Sequence, residues 1–113
     1  MTPQGNTLGK AERLSGKKSI STLLADGRWG SLGHFRYCWV AQEDSAAPAR
    51  ILVSVPKRFF KRAVKRNLLK RRIREAYRVQ KVCGVDILFQ YNSQEVSSSA
   101  TIFSDIAEIL KRI

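Results

Sequence analysis

KRFFKRAVKRNLLKRRIREAYRVQK, residues 57–81, decides how the rest of the chain is read. It holds twelve basic residues, Lys57, Arg58, Lys61, Arg62, Lys65, Arg66, Lys70, Arg71, Arg72, Arg74, Arg78 and Lys81, against one acid, Glu75. The whole chain of 113 residues carries 21 Lys and Arg, 9 Asp and Glu, and a formal net charge of +12. Outside the stretch the two signs nearly balance, so the excess positive charge belongs to one segment. That segment also has a helical period. At about 100° per residue, Arg66, Asn67, Lys70, Arg71, Arg74 and Arg78 fall within an arc of roughly 140°. Leu69, Ile73, Ala76 and Tyr77 cluster in an adjoining arc of roughly 100°, at the spacing of a buried stripe. Leu68 and Val79 flank that stripe. Arg72 and Lys65 intrude there, where long side chains lay their stems on apolar surface and keep their charges in water.

A solvated helix face mixes signs, because Glu–Lys pairs one turn apart stabilise it and like charges repel. Here a row of arginines meets a single glutamate, and a polyanion would relieve that repulsion. The planar guanidinium suits bidentate phosphate contacts, and Asn67 inside the row can both donate and accept. A calmodulin-target or membrane-surface helix would need its apolar face free. In so short a chain the core claims that face. Nucleic acid is the leading partner.

Outward from this stretch, RILVSV (50–55) reads as a strand stopped by Pro56, which cannot donate to a ladder. The basic helix is expected directly after it, closed by Gly84 beyond a frayed end. DILFQY (86–91) is a further strand. A serine-rich loop then leads to a last helix with its N-cap at Ser98 or Ser99 and with Ile102, Ile106, Ile109 and Ile113 in helical register, Phe103 and Leu110 beside them. Upstream, residues 34–41 alternate: Phe35, Tyr37 and Trp39 face one way, and His34, Arg36 and Cys38 the other. Residues 28–33 are a turn or a short edge strand. Lys17–Ala25 reads as a helix with Ile20, Leu23 and Leu24 on one side and Gly27 ending it. Residues 1–9 are polar and loosely held, and 42–48 form a loop. This order, helix, strands, long helix, strand, helix, belongs to an α+β or α/β fold with helices on a small sheet. The unit from Arg50 to Tyr91 can pair its strands in parallel, and the general rule would make that crossover right-handed.

The length suits one domain, 1–113, with a modest core. At 43% hydrophobic, the chain is too apolar for a disordered basic tail. No run approaches the ~20 apolar residues of a membrane span, and no signal-peptide stretch opens the chain. Cys38 and Cys83 fit no metal spacing. They leave a disulfide or, preferred here, two buried free thiols of a reducing cytoplasm. The materials of protein catalysis are sparse. The single histidine, His34, has no nucleophile spaced beside it, and the adjacent Glu43 and Asp44 read as a solvated loop. No phosphate-binding glycine loop or metal cluster stands out. Catalytic residues: none are assigned, so any chemistry has to be supplied by a partner.

The segment Arg62–Arg78, RAVKRNLLKRRIREAYR, resembles the signature of the protein subunit of bacterial ribonuclease P, A-x-x-R-N-x-x-K-R-x-x-R-E. The matching positions are Ala63, Arg66, Asn67, Lys70, Arg71, Arg74 and Glu75. KAERL (10–14), RILVSVPKR before the helix and GVDILF after it agree with the family over nearly the whole chain. The resemblance implies an α+β fold: a small two-layer sandwich of four strands and three helices, whose strand–helix–strand unit has a left-handed crossover. It implies a cytoplasmic, monomeric protein in a 1:1 complex with the catalytic ribonuclease P RNA. That RNA, with Mg²⁺ held mainly by RNA and substrate, removes the 5′ leader of precursor tRNA.

By the same resemblance the RNA-binding residues are Lys57, Arg58, Lys61, Arg62, Lys65, Arg66, Asn67, Lys70, Arg71, Arg74 and Arg78. A second site, the leader cleft, lies near the first helix. Members carry phenylalanines in that helix and an aromatic on the following strand. The matching positions here are Ile20, Leu24 and Cys38, so leader contact is expected from apolar packing with the charge of Arg36. The runner-up reading is a basic ribosomal or RNA-assembly protein with no part in catalysis. DNA binding comes third, since no helix-turn-helix pair is evident.

Overall fold

The structure, a computed structural model, describes Leu14 and residues 17–113. The expectations for residues 1–9 and for the start of KAERL lie outside the described residues. Seven elements follow in order: α1 (Lys17–Asp26), β1 (Arg28–Leu32), β2 (Phe35–Ala41), β3 (Arg50–Ser54), α2 (Ala63–Arg78), β4 (Val85–Tyr91) and α3 (Ser99–Arg112). The strands form one sheet in the order β1-β2-β4-β3. β1 and β2 form an antiparallel hairpin, β2 and β4 are antiparallel, and β3 and β4 are parallel with α2 as their crossover. The expected α+β class, four strands and three helices are all present, and residues 28–32 are an edge strand.

Alternation along β2 and β4 sorts the side chains onto two faces. Phe35, Tyr37, Ile51, Ile87, Phe89 and Tyr91 face α2 and α3, and with Leu69, Ile73, Tyr77, Ile102, Ile106 and Ile109 they form the main core. Each such side chain removed from water contributes about 1.5–3 kcal/mol. Cys38 and Leu88 point the other way and are covered by Leu23 of α1 and by Leu14. α1 is therefore a short cover on the reverse of the two-layer body.

Distant ties hold the layers in register. Gly33, at φ +57°, turns the β1–β2 hairpin, and a Cβ there would lie 2.5 Å from the Asp105 carboxylate. That carboxylate accepts from the His34 backbone N–H and pairs with its Nδ1, both at 3.2 Å, which fastens α3 to the hairpin. On the reverse face Arg50 and Asp86, opposed in the parallel ladder, form a two-bond ion pair. Ser98 is the N-cap of α3, its hydroxyl accepting from Thr101 N–H at 3.2 Å.

Two boundaries differ from the sequence reading. The helix begins at Ala63 rather than just after Pro56, because Phe60 is buried in the core and Phe59 packs beside it. A helix from residue 57 would place those rings by its own period. Instead the chain turns, and Arg62 is still extended (φ −81°, ψ 127°) as the N-cap. At the other end α2 stops at Arg78. Gly84 does not close it. It takes φ +78° against the backbone of Ser45, where a Cβ would come within 2.7 Å of the Ser45 carbonyl, and so shapes the turn into β4.

Candidate nucleic-acid interface

α2 has one committed face and one free face. Leu69, Ile73, Ala76 and Tyr77 are buried, as their spacing predicts. Asn67, Arg71 and Arg74 are exposed on the far side, and Lys70 is half-buried at its margin. Val64, Asn67, Leu68 and Arg71 surround a shallow depression of about 450 Å³. The helix itself thus presents this row rigidly, and a partner need not order it on binding.

The remaining basic residues divide into three groups. Lys57, Arg58, Lys61 and Arg62 are exposed, but on the turn before the helix rather than on the helix. Arg58 lies over the Phe59 ring at 4.8 Å. Lys65 is exposed on the first turn of α2. Three arginines spend donors inside the fold. Arg66 donates to the carbonyls of Phe60 and Lys61 at 2.8 and 2.9 Å. Arg72 donates to the Ser97 carbonyl at 2.6 Å, tying α2 to the start of α3. Arg78 pairs with Glu75 at 2.6 Å. Val79, expected on the apolar flank, is exposed at the helix end.

On the reverse face of the sheet the four expected cleft residues separate. Cys38 is a correction: it is fully buried, its Sγ donates to the Leu23 carbonyl at 3.3 Å, and α1 covers it, so it cannot line an open cleft. Burial raises its thiol pKa, which the nearby Arg36 charge only partly offsets. Ile20 packs half-buried against the same cluster. Leu24 does not share the buried side of α1 with Leu23; it is exposed. Arg36 is exposed as expected. Beyond these, Trp29 on β1 pairs in register with Cys38 and so stands on the same face, with Arg36 over its ring at 4.5 Å. Its signal in the sequence was the two-residue alternation of β1, which could not be used until 28–32 was known to be a strand.

A larger groove on this face is lined by Glu43, Asp44 and Asp86 against Arg50, the wrong balance for phosphate. Among the described residues no group of three or more His, Cys, Asp or Glu could hold a metal ion. Both cysteines are free, and Cys83 is exposed rather than buried.

Comparison with known proteins points one way. The family model described as Ribonuclease P matches residues 8–113. The chain is 42% identical over 82 residues to a ribonuclease P protein component of Porphyromonas gingivalis, a match covering 72% of this chain and 60% of that protein. It is 32% identical over 96 residues to the ribonuclease P protein component of a Picosynechococcus species, covering 78% of each. The chain spans about 60% of the length of the Porphyromonas relatives. In fold it is similar to the RNase P protein of Thermotoga maritima, with TM-score 0.78 at 24% identity over 90% of this chain and 97% of that one. It is likewise similar to the RNase P protein of Staphylococcus aureus, with TM-score 0.77 at 23% identity over 91% and 95%.

Proposed function

The chain belongs to the ribonuclease P protein family, and on that premise we propose that it is the protein cofactor of a ribonuclease P ribonucleoprotein, acting in removal of the 5′ leader from precursor tRNA. In this reading the catalytic RNA docks on the free face of α2, with Asn67, Lys70, Arg71 and Arg74 meeting its backbone and the turn at residues 57–62 adding charge. Arg66 holds that turn in place. The leader runs over the reverse face of the sheet beside α1, near Leu24 and Arg36. The RNA performs the hydrolysis. Mg²⁺ is held mainly by RNA and substrate, and the protein's part is to bind, orient and neutralise phosphate charge. The protein acts as a cytoplasmic monomer, one per RNA. Among the described residues no helix is long and apolar enough to cross a membrane.

The observation that carries this reading is the division of α2, one face sealed in the core and the other a nearly acid-free cationic row. The test is addition of the protein to a catalytic ribonuclease P RNA at low Mg²⁺. Leader removal should rise from near background. A ribosomal or assembly protein would bind the RNA and leave the cleavage rate where it was.

A further inference from the structure

The two edges of the sheet differ. At the β3 edge the Leu14 N–H donates to the Ile51 carbonyl at 2.9 Å, so the chain itself covers that strand. The β1 edge is open. Gly33 and His34 make a two-residue turn with positive φ at Gly33 and not at His34. This is the type II′ form, in which the flanking Leu32 and Phe35 exchange the first ladder bonds. The alternation of an antiparallel ladder then turns the backbone groups of Leu32, Gly30 and Arg28 toward β2 and those of Trp29 and Ser31 outward. The Arg112 guanidinium agrees with this, since it reaches the Ser31 carbonyl from outside the sheet at 3.2 Å. Among the described residues the Trp29 N–H and C=O and the Ser31 N–H have no partner. Open edges are commonly blunted by proline, a bulge or a covering element. β1 holds no proline, its register is unbroken, and among the described residues its one cover is the Arg112 side chain.

We infer that the β1 edge docks an extended, acidic segment of a partner protein, which adds to the sheet as a further strand. The backbone supplies the affinity, because an extended peptide offers the partners that the outward groups of Trp29 and Ser31 lack. Charge selects an acidic segment. Arg28, Arg36 and Arg112 stand exposed around the edge, and among the described residues none of them pairs with a carboxylate. Of the nearby acids, Asp26 is exposed and Asp105 is engaged with His34. A second copy of this chain would oppose Trp29 to Ser31 across a twofold axis, but it would bring the same arginines of both copies together. A nucleic-acid strand would satisfy the arginines, yet its backbone does not alternate donor and acceptor at strand spacing. Past the start of β1, where Val40 and Ala41 have no partner in that strand, lies a recess of about 280 Å³. Asp26, Arg28 and Trp39 line it, and it can take a side chain of the docked segment. α2 packs on β3 at the other edge of the sheet, while α3 lies against β1. The β1 edge is therefore accessible while RNA covers the free face of α2.

The test is a titration of the isotopically labelled full chain, followed by NMR, with a short blocked peptide that alternates glutamate and valine. The same peptide with lysine in place of glutamate is the control. With the glutamate peptide the amide signals of Trp29 and Ser31 should shift and their exchange with solvent should slow; the lysine peptide should change neither. Ser31→Pro removes an outward N–H and leaves the bonds to β2 in place, a substitution that edge strands accept. It should weaken the glutamate peptide by roughly tenfold. Arg28→Glu, at an exposed side chain, should weaken it too, and it decides the matter where Ser31→Pro lowers stability. Shifts that are absent or confined to α2, equal binding of the two peptides, or undiminished binding by both variants would overturn the docking edge. Protection of Trp29 and Ser31 by a single-stranded RNA oligonucleotide, and not by the peptide, would overturn it as well and give the edge to nucleic acid.

Discussion

The Arg66 guanidinium reaches back along the chain and donates to the carbonyls of Phe60 and Lys61 at 2.8 and 2.9 Å. The arginine whose spacing makes it one of the cationic row is therefore also a clamp on the turn before α2. That turn carries Lys57, Arg58, Lys61 and Arg62, and within it the Phe59 N–H donates to the Pro56 carbonyl at 3.2 Å. Fixing its carbonyls to the first turns of the helix holds four more cations beside the row. Positioning and charge are thus combined in a single side chain.

The first expectation follows from this difference. Arg71 is exposed and among the described residues makes no comparable bond, so Arg71→Ala should change stability by no more than about 0.5 kcal/mol. Arg66→Ala gives up two charge-assisted hydrogen bonds, partly in contact with water, and should cost about 1–2 kcal/mol. On the opposite face Leu69→Ala or Ile73→Ala should cost about 2–5 kcal/mol, since both are fully buried. Urea melts of the four variants give the order directly. Arg71→Ala ranking among the least stable would mean that the two faces are interchanged.

Much of this architecture was legible in local pattern. The buried and free faces of α2, the alternation of β2 and the cap at Ser98 all depend on residues a few positions apart. What escaped depended on distant partners. Phe60 reads as part of a basic helix until the core that receives its ring is known. Leu24 and Leu23 are neighbours in sequence, and only the placement of α1 on the sheet decides that Leu23 is buried and Leu24 exposed. Cys38 has the strand parity of an exposed residue such as Arg36, but α1 covers it. Asp86 reads as the polar start of a strand, and its partner Arg50 lies 36 residues earlier. His34 finds Asp105 across 71 residues.

The Arg50–Asp86 pair makes a second expectation, with an asymmetry. Arg50 donates from Nε and Nη2 to the two carboxylate oxygens at 2.8 and 2.7 Å, and Gln42 donates a third bond at 3.1 Å. The bonds to Asp86 hold the guanidinium protonated above its ordinary value, against the opposing cost of burial. The Arg50 side chain is 38% exposed and that of Asp86 only 9%. Without Asp86, the guanidinium can turn to water. Without Arg50, the carboxylate stays buried with Gln42 alone. Arg50→Ala should therefore cost about 3 kcal/mol or more, the range for stranding a buried charge. Asp86→Ala should cost less. Equal costs in thermal or urea melts would refute the asymmetry.

The two thiols should behave differently. Cys83 is exposed and should react quickly with a thiol reagent in the native state, while Cys38 should react only on unfolding. Burial raises the Cys38 pKa in the folded protein. The folded state then keeps its proton at a pH where the unfolded thiol has already ionised. Stability should fall as pH rises above the ordinary thiol value, and nothing should change near neutrality. Cys38→Ala should abolish that alkaline component, although it also removes a buried side chain and lowers stability at every pH. Comparing the slopes of stability against pH for the two proteins isolates the titration. Parallel slopes would exclude Cys38 as its source.

The last expectation separates the two surfaces. If the free face of α2 neutralises phosphates of the catalytic RNA, the logarithm of affinity should fall linearly with the logarithm of salt concentration. Arg71→Ala or Arg74→Ala should each make that slope shallower by about one unit. Both arginines lie on a helix whose opposite face is buried, so their loss removes charge without disturbing the scaffold. They act on assembly, and the loss should be the same whichever tRNA is later offered. Leu24 is on another element and on the other side of the sheet. Leu24→Glu places an acid on the exposed side of α1, where a leader phosphate would be repelled. It should leave the salt slope of assembly unchanged and weaken precursor tRNA relative to mature tRNA at saturating protein. A Leu24→Glu variant that weakened assembly itself, or weakened both tRNAs alike, would show that the leader does not pass this helix, and the α2 face would stand alone as the RNA contact.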